Sequence, residues 1–495
     1  MKKYFYILVF AVLMGGLTSC NDWLDVSPKD RIPADKMFES ESGFKDILTG
    51  AYLKLGTANL YAGDMKYGYL DELAGLYCDY PGYNTNSVYN QAIVFDYTNQ
   101  FLSKKDNLYL EMYNVVANLN NLLQNIETHR DVLKTPHYYE CIKGEALGLR
   151  AFIYFDLLRL FGPIYSEHPT DAIPYKTTYD KEPTPVLPAN QVVEKILEDL
   201  KAAEALMKDN DPCDFPTAID QRTDFLSNRE FRMNLYAVKA MMARVYCYSG
   251  QNDLAVQYAQ EVIDANKYFT LYKSQTASNY NSIRYGEQIF GLSVNQLNNT
   301  LISNSMDMEN TSVQQRYGMT ADMFTKVYEG ITSDWRQNVV AFNWDESHQY
   351  AFCLKYNQAP LANTYLYSGA DAIPLIRLPE MYYIIAECAA NAETSAEALN
   401  TVRLSRGIPY SDEIHTLGYD DKDVTSEENK QQTRRINEIM KEYRKEYYAE
   451  GQLFFFLKAH HYTTYYGCGV ANMTSKEYQM PLPDNEKIFG NNTTK

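Results

Sequence analysis

Apolar residues recur at three- and four-residue spacing along much of this 495-residue chain, which is the periodicity of amphipathic α-helices. Outside the repeats described below, this pattern predicts helices over Glu41 to Gly56, Phe101 to Thr128, Met319 to Glu329 and Thr433 to His460. The pattern therefore predicts a mainly α fold.

A repeated spacing of small and large residues predicts antiparallel helix pairs of the tetratricopeptide kind. Small residues let two helices approach closely, Tyr246 fills the space between them, and Gly250 makes the turn. The clearest copy runs through Met242, Ala243, Tyr246, Gly250, Ala255, Ala259 and Val262.

Two weaker copies of the same spacing predict two more helix pairs. One covers Tyr382 to Val402, and the other joins a helix around Leu147 to Tyr154 with the helix Gln191 to Met207 after a long insertion. Because one pair cannot bury its apolar face alone, we expect a stacked scaffold over about 140–266 and 375–460. A coincidental alanine pattern in an ordinary helical protein is the alternative.

Two long tracts with little periodicity separate these helices. They are Thr57 to Gln100 and Phe269 to Gln315, and both are rich in Tyr, Asn, Gly and Ser. Irregular tracts of this length usually form functional loops, so we expect binding residues there.

The N-terminus reads as a lipoprotein export signal. Lys2 and Lys3 precede an apolar run from Tyr4 to Leu17, which ends in Leu-Thr-Ser before Cys20. Cleavage after residues 1–19 would leave a cysteine that carries lipid, so we expect a body tethered to a membrane by acyl chains. An ordinary secretory signal with an incidental cysteine is the alternative.

Composition excludes several other functions. The formal net charge of -17 disfavours nucleic acid and anionic lipid surfaces as partners. The 8 cysteines are scattered without a CxxC motif, so the sequence predicts neither a zinc site nor a disulfide framework, although one or two bridges stay open.

The sequence also lacks the motifs of common enzymes. Its 7 histidines form no HExxH or Glu-x-x-His pair, and His460 and His461 point to different faces of a helix end. The acidic group Asp420, Asp421 and Asp423 lacks the ligand spacing of an EF-hand. We expect no catalysis, cofactor or metal, while a helical glycoside hydrolase stays open because the 63 acidic residues cannot be sorted into pairs by sequence.

Several segments together resemble the SusD/RagB family. The matching segments are Cys20 to Pro28, EALGLRAFIYFDLLRLFGP at Glu145 to Pro163, RLPEMYYIIAE at Arg377 to Glu387, LNTVRLSRG at Leu399 to Gly407, Ile436 to Leu457 with its EYYAEG core, and Pro481 to Pro483. They span nearly the whole chain in the order expected for the family. Two departures are Tyr165 where the family's turn ends in proline, and Glu442-Tyr443-Arg444 at its Glu-Arg pair.

The resemblance implies a single SusD-like domain over 20–495, with a tetratricopeptide-like scaffold and an irregular, loop-rich ligand-binding half. It also implies a binding protein without catalytic activity, anchored in the outer membrane and facing the outside. Such a protein captures oligosaccharides, or in some branches oligopeptides, and delivers them to a SusC-type TonB-dependent transporter.

Aromatic rings beside polar side chains mark the expected ligand site, because sugars offer both apolar faces and hydroxyls. Of the 3 tryptophans, Trp23 belongs to the segment after the signal. The candidate ligand contacts are Tyr77, Asp79, Tyr80, Tyr83, Asn84, Trp335, Arg336 and Trp344. An extended peptide is an alternative ligand, because main-chain hydrogen bonds hold it and few tryptophan platforms are needed. A third alternative is a repeat scaffold that binds only protein, which would need no aromatic-rich loops.

Overall fold

The computed structural model of the protein describes residues 36–78, 92–167, 170–213, 224–272, 284–295, 297, 318–337, 341–356 and 371–490. Helices dominate these ranges, which confirms the predicted mainly α fold. The helices are α1 Glu41–Leu55, α2 Tyr69–Leu73, α3 Asn99–Thr128, α4 Tyr138–Phe161, α5 Ala189–Met207, α6 Leu235–Tyr248, α7 Asn252–Ile263, α8 Ala321–Tyr328, α9 Leu378–Cys388, α10 Ala392–Ser405, α11 Arg434–Glu446, α12 Leu453–Ala459, α13 Ser475–Tyr478 and α14 Asp484–Phe489. Within the same ranges, no helix has the length and apolar character needed to cross a bilayer.

Short strands form small antiparallel sheets between the helices. The strands are β1 Asp171–Pro174, β2 Val186–Pro188, β3 Gln288–Ser293, β4 Gly318–Thr320, β5 Phe342–Asp345, β6 Tyr350–Cys353 and β7 Ala372–Arg377. β1 pairs with β2, β3 pairs with β7, and β6 lies between β4 and β5.

The three predicted helix pairs are present. α4 packs along α5, α6 along α7 and α9 along α10, while contacts of α5 with α6 and of α7 with α9 join the pairs into one stack. Small residues allow the close approach: a Cβ added to Gly144 would lie 2.4 Å from Met207 Cγ. Tyr246 is 3% exposed and stacks on Tyr258, so it fills the space between two helices as predicted.

The prediction of one long helix over Thr433 to His460 is wrong. The chain forms α11 and α12 instead, and the turn between them places Ala449 and Gly451 at φ 64° and 68°. Gly451 donates its N–H to Asp71 Oδ1 at 2.9 Å, and an added Cβ would lie 2.3 Å from the Met65 carbonyl oxygen. The turn at Gly451 is therefore stabilised by contacts with residues 65–71, which are distant in the chain. Helical periodicity in residues 433–460 cannot report these contacts.

The first part of the tract predicted as a functional loop belongs to the core. Residues 57–68 form successive turns without a regular element, yet Leu60, Tyr61, Met65 and Tyr67 are at most 4% exposed. Tyr61 donates its hydroxyl to Asp156 Oδ2 at 2.7 Å, which attaches this segment to α4. Lack of periodicity here reflects an irregular backbone in the core rather than a surface loop.

Candidate ligand-binding site

Trp344 lies half-buried on β5, beside α8. Its ring meets the edge of Phe324 at a centroid distance of 4.9 Å and an interplanar angle of 71°. Phe324 also contacts Phe342, which lies two residues before Trp344 and therefore on the same face of the strand. This packing fixes the Trp344 ring and leaves part of it accessible, as a stacking platform requires.

Cys78, in the first irregular tract, contacts Gly318, which lies just after the second tract. The Cys78 N–H donates to the Gly318 carbonyl oxygen at 3.0 Å, and the Tyr350 hydroxyl donates to the Cys78 carbonyl oxygen at 2.7 Å. Residues 79–91 follow Cys78 along the chain, and residues 301–317 precede Gly318. The Cys78 thiol also lies 3.1 Å from Met323 Sδ, and Met323 precedes Phe324 on α8, so this junction lies beside the helix against which Trp344 packs.

A polar cavity of about 720 Å³ opens beside α8. Lys326 of α8 lines it and lies 4.3 Å from the ring centroid of Tyr466, whose hydroxyl donates to Asp322 Oδ2 at 2.8 Å. Burial and the hydrogen bond to Asp322 raise the pKa of Tyr466 to about 12, so its hydroxyl remains a donor at neutral pH.

The opposite wall of the cavity comes from α11 and the loop before it. Asp423 accepts hydrogen bonds from Asn437 and Thr425, both at 2.9 Å, and Lys441 bridges Glu438 and Glu329. Burial opposes ionisation of Asp423, but the hydrogen bonds lower its pKa below the ordinary value. The cavity thus offers ionised carboxylates, an amide and ammonium groups, which suits a hydroxyl-rich ligand.

Arg336 lies in the interior, fully enclosed by acidic partners. Its Nε and Nη2 atoms donate to Asp334, and its Nη1 donates to Glu442 Oε2 at 2.9 Å and to Glu446 Oε2 at 3.2 Å. These carboxylates raise the pKa of Arg336 despite the opposing effect of burial. Every side-chain nitrogen of Arg336 is engaged by a carboxylate, and its direct contact with a ligand stays a prediction.

Three of the segments that carried the family resemblance, Arg377 to Glu387, Leu399 to Gly407 and Ile436 to Leu457, meet around the same carboxylates. Arg377 donates to Glu446 Oε1 at 2.7 Å and to both oxygens of Glu450, and Arg406 donates to Glu446 and to Glu287. We call this set, with Arg336, Asp334 and Glu442, the buried ion network. Its position indicates that these motifs maintain the fold.

Trp335 and Tyr77 also lie mostly inside. Trp335 is 9% exposed, donates its Nε1–H to the Ser405 carbonyl oxygen at 2.9 Å, and lies 5.1 Å from the guanidinium carbons of Arg284 and Arg406. Tyr77 is 1% exposed and meets Tyr448 edge to face at 5.5 Å. Direct ligand contact by these two side chains stays a prediction.

Some predicted residues fall outside the described ranges, and their roles stay predictions. They are Cys20, Asp79, Tyr80, Tyr83 and Asn84.

Lys326 and Tyr466 were missed by the sequence analysis. The two residues are 140 positions apart, and neither lies in a motif, so only the fold brings them together. Their aromatic and cationic character carries no signal by itself in a chain with 44 tyrosines.

Histidines and acidic residues elsewhere have local partners. His460 Nε2 lies 3.0 Å from Glu387 Oε1, while His461 pairs with Glu167, so the two rings do diverge as predicted. Asp420 pairs with Arg435. Over the described ranges, no group of three or more histidine, cysteine or acidic side chains could hold a metal ion.

A second cavity of about 630 Å³ lies between α3 and the C-terminal helix α14. Tyr109 and Tyr113 line it, together with charged residues of the segment after β1. It lies apart from Trp344 and from the junction at Cys78, so we place the candidate site at the first cavity.

Two family models match the chain, one over each half. The model described as "Starch-binding associating with outer membrane" matches residues 22–247, and the model of the SusD family matches residues 223–494, more than half of the sequence.

Individual proteins agree with these models. SusD-like protein P38 of Formosa agariphila is 26% identical over 214 residues, which are 41% of this chain and 38% of that protein, so the match spans well under half of the relative's length. A solved SusD-like carbohydrate binding protein of Bacteroides vulgatus superposes with a TM-score of 0.66 at 18% identity, over 92% of this chain and 97% of that one. A SusD superfamily protein of Bacteroides thetaiotaomicron gives a TM-score of 0.62 at 18% identity, over 89% and 94%. The family models and the shared fold lead to one conclusion: this chain belongs to the SusD family.

Proposed function

We propose that this protein captures oligosaccharides at the outer membrane and delivers them to a SusC-type TonB-dependent transporter. The export signal and Cys20 support a lipid anchor, with the body facing the outside. The family model that covers the N-terminal half is described by starch binding and outer-membrane association, which supports both the ligand class and the compartment.

The observation that carries this proposal is the position of Trp344. Its partly accessible ring packs on Phe324 of α8, the helix whose Met323 contacts the Cys78 thiol and whose Lys326 lines the cavity. An oligosaccharide with one sugar stacked on Trp344 would extend further sugars toward the polar groups of the cavity on α8. An aromatic platform next to a polar cleft is the usual composition of a sugar site.

We place the predicted loop contacts at this same face. Asp79, Tyr80, Tyr83 and Asn84 follow Cys78 closely in the chain, so their segment starts at the junction beside α8, against which Trp344 packs. Trp335 and Arg336 would act indirectly, by supporting the scaffold beneath the site.

Oligopeptides are the second candidate ligand, and the position of β5 favours them. β5 is an end strand of the sheet β4-β6-β5 among the described residues, and it carries Trp344. An extended peptide that adds to such a sheet gains main-chain hydrogen bonds and needs few aromatic platforms.

Calorimetry of the mature, lipid-free chain tests the ligand class. The titrants are oligosaccharides of defined linkage, such as α-1,4-glucan, β-1,4-glucan and β-1,4-xylan fragments, and a mixed peptide library. Saturable heat with one glycan series supports the proposal. Heat only with peptides would show that oligopeptides, the second candidate, are the ligand class. Mass spectrometry of the titrated ligands checks for cleavage, which would contradict a pure binding role.

A further inference from the structure

A small cavity lies in the interior beside β5 and β6. It measures about 20 Å³, and Phe342 of β5, Cys353 of β6 and Tyr448 after α11 form part of its wall. The charged side chains that line it are all cationic: Arg284, Arg336, Lys355 and Lys445. Each of these four residues is at most 7% exposed. Among the described residues no carboxylate lines the cavity, and its size suits one water molecule or one small ion.

Two of the lining side chains carry hydrogen-bond donors that have no acceptor among the described residues. The donors are Nε and Nη1 of Arg284 and the hydroxyl of Tyr448, and each residue is 3% exposed. Arg284 Nη1 lies 3.5 Å from Glu446 Oε1, within the range of an ion pair but without a hydrogen bond. Burial raises the pKa of Tyr448 well above its ordinary value, so its hydroxyl keeps the proton. Because a buried donor without an acceptor costs free energy, these groups favour an acceptor within the cavity.

Positive charge exceeds negative charge around the cavity. The buried ion network contains three arginines and five carboxylates. Further buried cations pair with these carboxylates but bring only one more acidic partner, Glu329; these cations are Arg284, Arg403, Lys355 and Lys445. Within the described ranges, seven cations therefore share six carboxylates. A buried charge without a counter-ion is costly, so this set favours one additional negative charge.

The titration of Lys355 agrees with this surplus of positive charge. Burial is the main cause that lowers the pKa of Lys355 to about 8, and the guanidinium groups of Arg377 and Arg284 lower it further, against the attraction of Glu450. An anion in the cavity would offset these guanidinium groups and raise the pKa of Lys355.

We propose that this cavity is a binding site for a single halide ion, with chloride as the ligand and Arg284 and Tyr448 as its hydrogen-bond donors. A water molecule is the other occupant of suitable size, but a water molecule also brings two protons that need acceptors. A chloride ion only accepts hydrogen bonds, and it supplies the missing negative charge. The volume of the cavity suits a single atom rather than a polyatomic anion such as phosphate.

The bound ion would stabilise the part of the fold that carries Trp344. Phe342 lines the cavity and meets Phe324 edge to face at 5.2 Å, and Phe324 packs on Trp344. Phe342 also contacts Tyr448, one of the two donors, at a ring centroid distance of 5.5 Å. This role is structural and requires no sugar, so the inference stands independently of the proposed function.

Equilibrium unfolding in urea tests the site, because unfolding exposes the interior and lets the ion exchange with the solvent. The mature, lipid-free chain is unfolded in sodium chloride, sodium bromide and sodium gluconate at one ionic strength, since gluconate is too large for the cavity. At about 100 mM salt, we expect urea midpoints higher by on the order of 0.5 M in chloride and bromide than in gluconate, because a ligand of the folded state stabilises it by mass action. Equal midpoints in the three salts would overturn the proposal.

Variants assign the effect to this cavity. Arg284→Gln should abolish the difference between chloride and gluconate, whatever the stability of the variant itself, and Tyr448→Phe, which removes only a hydroxyl, should reduce that difference. Tyr447→Phe is the matched control, because the Tyr447 hydroxyl is similarly buried, has no acceptor among the described residues and does not line the cavity. The control should retain the full difference. An undiminished chloride effect in Tyr448→Phe and in Arg284→Gln would show that the ion binds elsewhere.

A crystal grown in sodium bromide locates the ion directly. Anomalous scattering should show one bromide within hydrogen-bond distance of Arg284 Nε and of the Tyr448 hydroxyl. A water molecule without anomalous signal at this position would overturn the proposal.

Discussion

Arg406 and Glu446 form a bidentate ion pair in the interior, with Nε 2.9 Å from Oε2 and Nη2 3.0 Å from Oε1. Both side chains are inaccessible to solvent. Arg377 and Arg336 donate to the same carboxylate, so Glu446 is the common acceptor of guanidinium groups from three separate segments. This carboxylate therefore joins segments that lie far apart in the chain.

Glu446→Gln should lower the free energy of unfolding by about 3–5 kcal/mol, because it leaves buried guanidinium groups without their common counter-ion. Urea denaturation followed by circular dichroism measures the loss. Asp484→Asn is the matched control: its partner Lys487 and the Asp484 side chain are 52% and 81% exposed, and such pairs contribute under about 1 kcal/mol. Equal effects of the two changes would contradict a structural role for the network.

Acid should destabilise the protein through the same network. Burial opposes ionisation of Glu450, but Arg377 and Lys355 outweigh burial and hold its pKa at about 2, below the value of about 4.3 for an unfolded glutamate. The folded state then binds fewer protons than the unfolded state, so this contribution is complete above about pH 5 and declines as pH falls toward 2. Unfolding free energies between pH 2.5 and 6 measure the slope, which Glu450→Gln should reduce.

Glu72 should have the opposite pH dependence. Burial is the main cause that raises its pKa to about 8, and among the described contacts neither carboxylate oxygen has a hydrogen-bond partner. Because the folded state keeps this proton and the unfolded state releases it, the Glu72 contribution falls as pH rises from about 4 to 8. Glu72→Gln, which stays neutral, should therefore gain stability relative to the wild type at pH 8, by on the order of a few kcal/mol, and little at pH 5.

Parallel urea titrations at pH 5 and 8 measure this difference. The exposed Glu397→Gln is the control and should show no comparable gain. A constant difference between the Glu72 variant and the wild type at both pH values would show that Glu72 is ionised in the folded protein.

Gly451→Ala should destabilise the turn between α11 and α12 by about 1–3 kcal/mol or more. The substitution combines a φ of 68° with an approach of 2.3 Å between the new Cβ and the Met65 carbonyl oxygen. Gly50→Ala is the contrasting change, because Gly50 lies within α1 with nothing within 4 Å of an added Cβ. Alanine there should stabilise the protein by roughly 0.5–1 kcal/mol. Thermal melts of both variants measure this: the melting temperature should fall for Gly451→Ala and rise for Gly50→Ala.

Trp344→Ala should weaken binding of the oligosaccharide identified by calorimetry by about 1–3 kcal/mol, taking stacking of a base on an aromatic ring as the nearest analogue. Tyr410→Ala is the matched control, since Tyr410 is 75% exposed and does not line the cavity. Unchanged affinity in the Trp344 variant, with a normal circular dichroism spectrum, would move the sugar platform elsewhere.

The helical scaffold was predictable because its signals are local. In α6 and α7, apolar spacing, small residues and Gly250 lie within about thirty positions, and the structure has the predicted pair there. The candidate site was predictable only by region. Trp344 is partly accessible, whereas Arg336, eight residues earlier, is enclosed by carboxylates from α11. Residue type alone cannot distinguish these two environments.

The sequence by itself determined the helical class, the three helix pairs and the family, because periodicity and ordered motifs depend on residues close together in the chain. Tertiary structure alone decided that the motif arginines and glutamates form the buried ion network, that residues 57–68 enter the core, and that α11 ends before Gly451. Tertiary structure also decided that Lys326 of α8 and Tyr466 line one cavity, and that Trp344 packs against the same helix. Each of these outcomes depends on contacts between segments far apart in the chain, whose free energy exceeds the local preferences that a sequence pattern reports.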